Sequence, residues 1–246
     1  MTKNINNMKI VIVGTAHPYR GGLAAYNERL AHEFVKEGHE VEIFTFSLQY
    51  PSFLFPGKSQ FSDEKAPSDL RIRRRVNSVN PLNWMAVGRE IKKMQPDRVI
   101  FCYWMAFMAP CFGTIARFAR SPRTKMIALV HNMIPHEPTV LDKLFPGYFV
   151  RSMDGFVAMA DAVARDIRHF DKQNKPIAVS PHPIYDHFGE LPDKKSAAMK
   201  LGLHEQFSYL LFFGFIRQYK GLDLLLEAFA DKRLREFPVK LIVAGE

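Results

Sequence analysis

The chain has 246 residues, a hydrophobic content of 47% and a formal net charge of +9. This length predicts one large domain or two smaller ones, and the apolar content excludes an intrinsically disordered chain. The charge favours an anionic partner: a nucleotide, a nucleic acid or an acidic membrane surface. The cysteines, Cys102 and Cys111, provide no disulfide framework and fit a reducing cytosol, and no signal peptide is visible.

Predicted strands and helices alternate along the chain, which is typical of an α/β fold with parallel strands. Strands are predicted at residues 9–14, 40–46, 70–76, 97–102, 125–130, 155–159, 177–180, 209–213 and 239–244. Helices are predicted after Gly22, at 81–94, before Arg117, at 139–151 with a break near Pro146, at 160–170, at 196–203 and after Gly221. We expect a complete Rossmann-like, doubly wound parallel-sheet domain at 1–188 and the first part of a second Rossmann-like domain at 189–246.

The loop after the first predicted strand ends in a glycine pair, Gly21 and Gly22. It does not match the dinucleotide fingerprint G-x-G-x-x-G. Glycines at a helix start let a ligand approach the backbone, although a simple tight turn fits the sequence equally well. The helix that follows is predicted to bury four residues at helical spacing: Leu23, Tyr26, Leu30 and Phe34.

A strand-like run at 70–76 is rich in arginine and follows a long polar-aromatic loop at 47–69. Alternation along a strand places Arg71, Arg73 and Arg75 on one face. Two interpretations remain open: a solvated edge strand, or a cationic rim for an anionic lipid or a lipid-diphosphate acceptor.

The segment from Val99 to Ala116 has no charged residue and just reaches the length of a membrane-spanning helix. Pro110 and Gly113 interrupt it, however, and its first residues have the composition of a buried strand. We therefore predict a strand, a loop and a buried helix rather than a membrane span.

His131 directly follows a predicted strand, at a position where open α/β sheets bind ligands. The segment 131–137 lacks the His-Glu-x-x-His pattern, so no zinc site is predicted. A histidine here could act as a base near neutral pH, or it could simply hydrogen-bond its own loop.

The stretch 209–229 predicts a strand, a basic loop and a helix. The apolar strand stops at Gly214, the loop carries Arg217 and Lys220, and leucines then recur at helical spacing. A helix N-terminus favours an anion, and a guanidinium can bind phosphate oxygens in a bidentate manner. The loop is thus either a phosphate site or a pair of solvated cations.

The motif Gly-x-x-Arg-x-x-Lys-Gly, followed by Leu-Asp-Leu-Leu-Leu-Glu-Ala-Phe, resembles the donor-phosphate loop of retaining glycosyltransferases of the GT-B fold, family 4 (group 1) type. The resemblance implies that Gly214, Arg217 and Lys220 bind the diphosphate of a nucleotide-sugar. It further implies that the Gly21–Gly22 loop faces donor phosphate and acceptor, and that His131 contacts the donor sugar. Further acceptor or sugar contacts are expected from Tyr19, Arg20 and Glu137.

The resemblance implies an enzyme that transfers a sugar from a nucleoside-diphosphate sugar to a hydroxyl of a glycan or lipid-linked saccharide, with retention. We expect catalytic roles for Arg217, Lys220 and His131, and neither an essential metal nor a nucleic-acid partner. The protein is expected in the cytoplasm, peripheral to the inner face of the cell membrane.

The resembled family often shows the motif Asn-Gly-Val-Asp at the point between its two domains. Segment 181–186 of this chain keeps only the Asp of that motif, so no sugar contact is assigned there.

The family's Glu-x7-Glu motif is absent, so we expect a chain that is truncated within its second domain and inactive alone. Two alternatives stay open. One is a non-catalytic, basic, membrane-associated binding protein on the same scaffold, and the other is a sugar-nucleotide epimerase of the GT-B fold.

Overall fold

The computed structural model describes residues 7–51, 60–62, 65–134, 141–184, 189–214 and 216–245. They fall into two compact units, Met1–Pro183 and Ile184–Glu246.

The first unit is built on a seven-stranded sheet in which all neighbouring strands pair in parallel. The strands are β1 (Lys9–Val13), β2 (Glu40–Leu48), β3 (Arg71–Asn77), β4 (Arg98–Tyr103), β5 (Lys125–Val130), β6 (Gly155–Ala158) and β7 (Ile177–Val179). Their order is β3-β2-β1-β4-β5-β6-β7, so the direction of winding reverses between β1 and β4. This confirms the predicted doubly wound α/β fold.

Helices connect the strands of this sheet. They are α1 (Gly22–Lys36), α2 (Pro81–Met94), α3 (Ala109–Ala119), α4 (Leu141–Val150) and α5 (Asp161–Phe170), with a short 3₁₀ turn at Ala106–Met108. The apolar segment 99–116 is therefore divided between β4, the turn and α3, as predicted. None of the helices in the described ranges has both the length and the apolar character that a bilayer crossing requires.

Both faces of the sheet are covered, which explains the near-continuous apolar runs of the central strands. In β1, Val11 and Val13 belong to the larger core cluster, whereas Ile10 and Ile12 belong to the smaller one on the other face. The larger cluster centres on aromatic rings, with Phe101 lying 5.7 Å from Phe112 between centroids.

Helix α1 approaches the sheet through smaller residues than the sequence predicted. Its buried residues are Ala24, Asn27 and Ala31. The predicted Tyr26, Leu30 and Phe34 are only partly buried beside the smaller cluster, and Leu23 is also only partly buried. Small side chains permit close contact with the strands, and the Asn27 side chain donates a hydrogen bond of 2.8 Å to the carbonyl of Thr15.

The predicted break in the fourth helix is wrong, because α4 continues through Pro146. Proline removes one intrahelical hydrogen bond. Burial of Phe149 and Val150 in the larger core cluster opposes that loss and holds the segment helical.

Contact between α2 and α3 depends on Gly88. A Cβ atom at this position would lie 2.5 Å from the Phe118 Cβ and 2.7 Å from the Ile115 carbonyl oxygen. We expect Gly88→Ala to destabilise the protein by about 1–3 kcal/mol, because the two helices must separate to admit the methyl group.

Gly147→Ala in α4 is the matched control, since a Cβ there would meet nothing within 4 Å. It should stabilise the protein by about 0.5–1 kcal/mol through helix propensity alone. Urea denaturation of both variants measures the difference, and equal midpoints would contradict the proposed packing.

The second unit contains the predicted strand, basic loop and helix. Its elements are α6 (Lys194–Lys200), β8 (Ser208–Phe213), a 3₁₀ turn at Gln218–Lys220, α7 (Leu222–Phe229), a 3₁₀ turn at Lys232–Glu236 and β9 (Val239–Ala244). Strands β8 and β9 pair in parallel from Ser208 opposite Val239 to Phe213 opposite Ala244.

Candidate functional site

The loop between β1 and α1 lies at the carboxyl end of β1, beside the point where the strand order reverses. Gly21 precedes the helix with a φ of +107°, a conformation that favours glycine. The first turn of α1 contains no acidic side chain, and its N-cap residue, Gly21, has no side chain that could cap the N–H groups. This helix start therefore offers N–H donors and a favourable dipole to an anion.

An open cavity of about 280 Å³ adjoins this helix start. Its lining includes Arg20, Gly21 and Lys65, together with Glu28, whose carboxylate accepts a 2.6 Å hydrogen bond from the His17 N–H. Two cations face one carboxylate, so the cavity suits a polar ligand with some negative charge.

Tyr19 also lines this cavity, but its side chain is largely in the core. Only 4% of the residue is exposed, and its ring lies 6.3 Å from that of Phe46 and 5.2 Å from that of Phe61. Burial raises the pKa of the Tyr19 hydroxyl, with opposing effects from a backbone hydrogen bond and from Arg74. Its contribution is therefore to shape the cavity wall.

His131 occupies the carboxyl end of β5, where its backbone N–H donates to the carbonyl of Tyr103 at 2.8 Å. The residue is 8% exposed, and within the described ranges its Nε2 has no hydrogen-bond partner. Burial, followed by repulsion from His182, lowers the pKa of His131 to about 4. The imidazole is therefore neutral at physiological pH, with one unused nitrogen.

His182, which follows β7, is brought against His131 by the fold. The His131 Nδ1 and the His182 Nε2 are 3.4 Å apart, and the ring centroids are 5.1 Å apart. Tyr26 of α1 meets both rings edge-on, at centroid distances of 5.0 and 5.3 Å. Sequence reasoning missed His182, and the signal that could have found it is a second histidine after a strand of the same parallel sheet.

This pair has a chemical consequence for His131. If His182 donates its Nε2–H to Nδ1 of His131, the His131 Nε2 keeps its proton and becomes a donor. In the opposite tautomer, the His131 Nε2 is an acceptor. Either way the His182 contact decides what His131 offers to a ligand.

In the second unit, Lys220 folds back over Gly214. Gly214 has a φ of +111°, and a Cβ atom there would lie 3.1 Å from the Lys220 ammonium nitrogen. Arg217 directly precedes the 3₁₀ turn, and its carbonyl accepts the Lys220 N–H at 3.0 Å. Both side chains are exposed, and no carboxylate of the described segments pairs with either.

The predicted site residues thus form distinct groups. Tyr19, Arg20 and Gly21 line the cavity that adjoins α1, and Gly22 begins that helix. His131 joins His182 and Tyr26, while Gly214, Arg217 and Lys220 share the loop of the second unit. Glu137 lies outside the described residues.

Three of the four arginines of β3 pair with carboxylates. Arg71 lies 3.5 Å from Glu40, Arg75 lies 3.5 Å from Glu90, and Arg73 contacts both Glu42 and Glu90. Arg73 and Arg75 both reach Glu90 of α2, and β3 is an edge strand, but a register shift between β2 and β3 interrupts the predicted strict alternation. Because carboxylates of β2 and α2 match their charge, this face is a weaker cationic rim than the sequence alone suggests.

Solved structures with the same fold include a glycosyltransferase from Rickettsia africae ESF-5, which is 13% identical, with 97% of this chain and 69% of that one covered and a TM-score of 0.60. S. aureus MnaA, solved with UDP, is 11% identical, with 97% and 63% covered and a TM-score of 0.57. The UDP-GlcNAc 2-epimerase from Methanocaldococcus jannaschii is 10% identical, with 96% and 73% covered and a TM-score of 0.52. At these identities the likeness establishes the fold alone.

The chain spans less than two thirds of the length of the MnaA structure. No curated protein sequence matches it significantly. The model of the family described as Glycosyltransferase Family 4 matches residues 20–187, about two thirds of the chain, and the chain therefore belongs to Glycosyltransferase Family 4.

Proposed function

We propose that the full-length protein is a retaining glycosyltransferase that moves a sugar from a nucleoside-diphosphate sugar to a hydroxyl acceptor. The observation that carries the proposal is the loop between β8 and α7. It offers two exposed cations, Arg217 and Lys220, with no carboxylate partner in the described segments, next to the N-terminus of a helix. That combination suits a diphosphate.

The principal catalytic demand is the negative charge that grows on the departing diphosphate. Donors aimed at that charge strengthen in the transition state and lower the barrier. Arg217 supplies a bidentate fork and Lys220 a point charge. Since these groups act electrostatically, we propose that transfer needs no metal ion.

His131 fits the donor-sugar side of the same reaction. A sugar centre that loses its leaving group acquires positive charge in an oxocarbenium-like transition state. A charged imidazolium nearby would oppose that charge, whereas burial keeps His131 neutral. The unpartnered Nε2 is then available for a sugar hydroxyl or an acceptor hydroxyl, in the tautomer that His182 selects.

We assign the acceptor, a saccharide or lipid-linked saccharide, to the cavity beside α1. Arg20, Lys65 and Glu28 provide donors and acceptors for hydroxyl and phosphate groups. We also propose that the 246 residues alone do not turn over. Strands β8 and β9 form a pair that buries little, and Leu211 and Phe213 remain 63% and 78% exposed.

A sugar-nucleotide epimerase is the second candidate, because one structural neighbour is the UDP-GlcNAc 2-epimerase described above. The two activities differ in their products. A transferase releases nucleoside diphosphate only with an acceptor, whereas an epimerase converts the sugar nucleotide without one.

The test is turnover of a panel of nucleoside-diphosphate sugars by the full-length protein, followed by NMR of the product. We expect acceptor-dependent release of nucleoside diphosphate, the donor's anomeric configuration in the product, and unchanged rates in EDTA. Inverted product would refute retention, acceptor-independent conversion would favour the epimerase, and binding without any turnover would favour a non-catalytic role.

A further inference from the structure

A second basic feature lies near the amino ends of the strands, whereas His131 lies at their carboxyl ends. An open pocket of about 420 Å³ is lined by the end of α3 and by the segments that lead into β6 and β7. Its charged lining residues are Arg117, Arg120, Arg151, Lys175 and one carboxylate, Asp154.

Contacts with the segment that ends α4 hold three of these cations in place. The Arg117 Cζ lies 3.6 Å from the centroid of the Tyr148 ring, and its Nη2 donates to the Tyr148 carbonyl at 3.2 Å. Arg120 contacts Asp154 at 2.9 Å and donates to the Ser152 carbonyl at 2.7 Å. Each guanidinium has more N–H donors than these contacts use, so donors remain for a ligand.

Lys175 completes the pocket by donating to the Val150 carbonyl at 2.9 Å. Burial lowers the pKa of its ammonium and outweighs the opposing effects of Asp171 and Asp154, while Arg120 lowers it further. The Lys175 ammonium has three N–H donors and the contact with the Val150 carbonyl uses one of them, so donors remain for a ligand.

The charge balance separates this pocket from the other basic surface. On β3, Arg71, Arg73 and Arg75 each contact a carboxylate of β2 or α2. The pocket is lined by four cations and one carboxylate, Asp154, which also accepts the Met126 N–H at 2.7 Å; Asp171 acts on Lys175 from outside the lining. Arg151 is exposed and has no side-chain partner among the described residues.

We propose that this pocket binds a doubly charged phosphate group, carried either by a soluble phosphate compound or by a lipid headgroup. Pinned guanidinium groups are suited to phosphate because their donors are already oriented. The proposal does not depend on the glycosyltransferase assignment, since none of these residues belongs to the candidate site.

A variant of Arg151 can test phosphate binding without disturbing the contacts that stabilise the fold. Arg117, Arg120 and Lys175 also stabilise the carbonyls at the end of α4. Arg151 makes no such contact, so Arg151→Ala should leave the melting temperature unchanged. Arg71→Ala is the matched control, because it removes one exposed arginine from β3 at the other end of the sheet.

The experiment uses protein that also carries Arg217→Ala and Lys220→Ala, so that the loop of the second unit does not compete. Inorganic phosphate and pyrophosphate are titrated by calorimetry. Vesicles of phosphatidylcholine, with and without phosphatidic acid, are tested by co-sedimentation. We expect Arg151→Ala to weaken binding by about tenfold in at least one arm and Arg71→Ala to change it by less than about twofold.

If Arg151→Ala weakens binding of phosphate or pyrophosphate in calorimetry, the ligand is a soluble phosphate compound. If it weakens binding only to vesicles with phosphatidic acid, the ligand is a lipid headgroup. Equal loss in Arg151→Ala and Arg71→Ala would mean that binding follows net charge, which overturns the proposal. No binding in either arm, or binding unaffected by Arg151→Ala, overturns it as well.

Discussion

Replacing Arg217 by alanine in the full-length protein should lower kcat by about 10²–10³-fold, the loss typical of removing one preorganised donor from a developing negative charge. Arg217 is exposed, at the start of the 3₁₀ turn, with no ion-pair partner among the described residues, so folding should be unchanged. The loss arises because the interaction is stronger in the transition state than in the bound donor.

Related variants test how the loop acts. Arg217→Lys should recover only part of the rate, since the ammonium cannot replace a bidentate fork. Lys220→Ala should lose a similar factor. The double variant should lose less than the product of the two factors if both cations contact the same diphosphate.

Lys195→Ala is the control for net charge, because Lys195 is an exposed cation on α6 of the same unit. Steady-state kinetics at saturating donor, with circular dichroism of each variant, supplies the measurement. Should Arg217→Ala keep both kcat and donor affinity while remaining folded, the two cations are a solvated surface and the proposed mechanism fails.

Much of the fold could be predicted from local sequence signals. Helix α2 has the predicted bounds because its start is marked chemically. Asn80 accepts hydrogen bonds from the N–H groups of Leu82 and Asn83, and Pro81 occupies the first turn. The buried strands were equally clear, since β1 and β4 alternate between two cores and are apolar after their first residue.

Tertiary contacts decided what the sequence could not. Which face of α1 is buried depends on close approach by Ala24 and Ala31, a matter of fit rather than of hydrophobicity. Three of the four β3 arginines pair with carboxylates of β2 and α2, and those pairings are not visible in the arginine run itself.

In the candidate site, too, contacts between distant parts of the sequence could not be predicted. His131 was predictable because it directly follows a strand, and the loop from Gly214 to Lys220 because its motif is contiguous. His182 lies 51 residues from His131, so only the folded sheet reveals their contact. The roles of these residues stay predictions until the variants are measured.

The stability of the chain should fall as the pH drops from about 6.5 to about 4, and His131 should account for a large part of that loss. Its pKa is about 4 in the folded protein and 6.5 ordinarily. Between these values the unfolded chain binds the proton and the folded chain does not, so acid favours unfolding. The stabilisation is complete above pH 6.5 and is lost as pH falls through 4.

The size of the effect follows from the difference between the two pKa values, at about 1.4 kcal/mol for each pKa unit, and is at most about 3.5 kcal/mol. His131→Gln keeps a polar side chain but removes the titration. Carboxylates such as Asp154 also weaken the fold in acid, but they are present in both proteins, so their effect cancels in the comparison.

His204→Gln is the matched control, because it removes an exposed histidine instead of a buried one. Urea denaturation at pH 7 and at pH 4.5 should show a smaller loss for His131→Gln than for the wild type, with His204→Gln resembling the wild type. If all three lose equal stability, His131 is not held neutral by burial and His182, and its assignment as an uncharged contact for the sugar loses its basis.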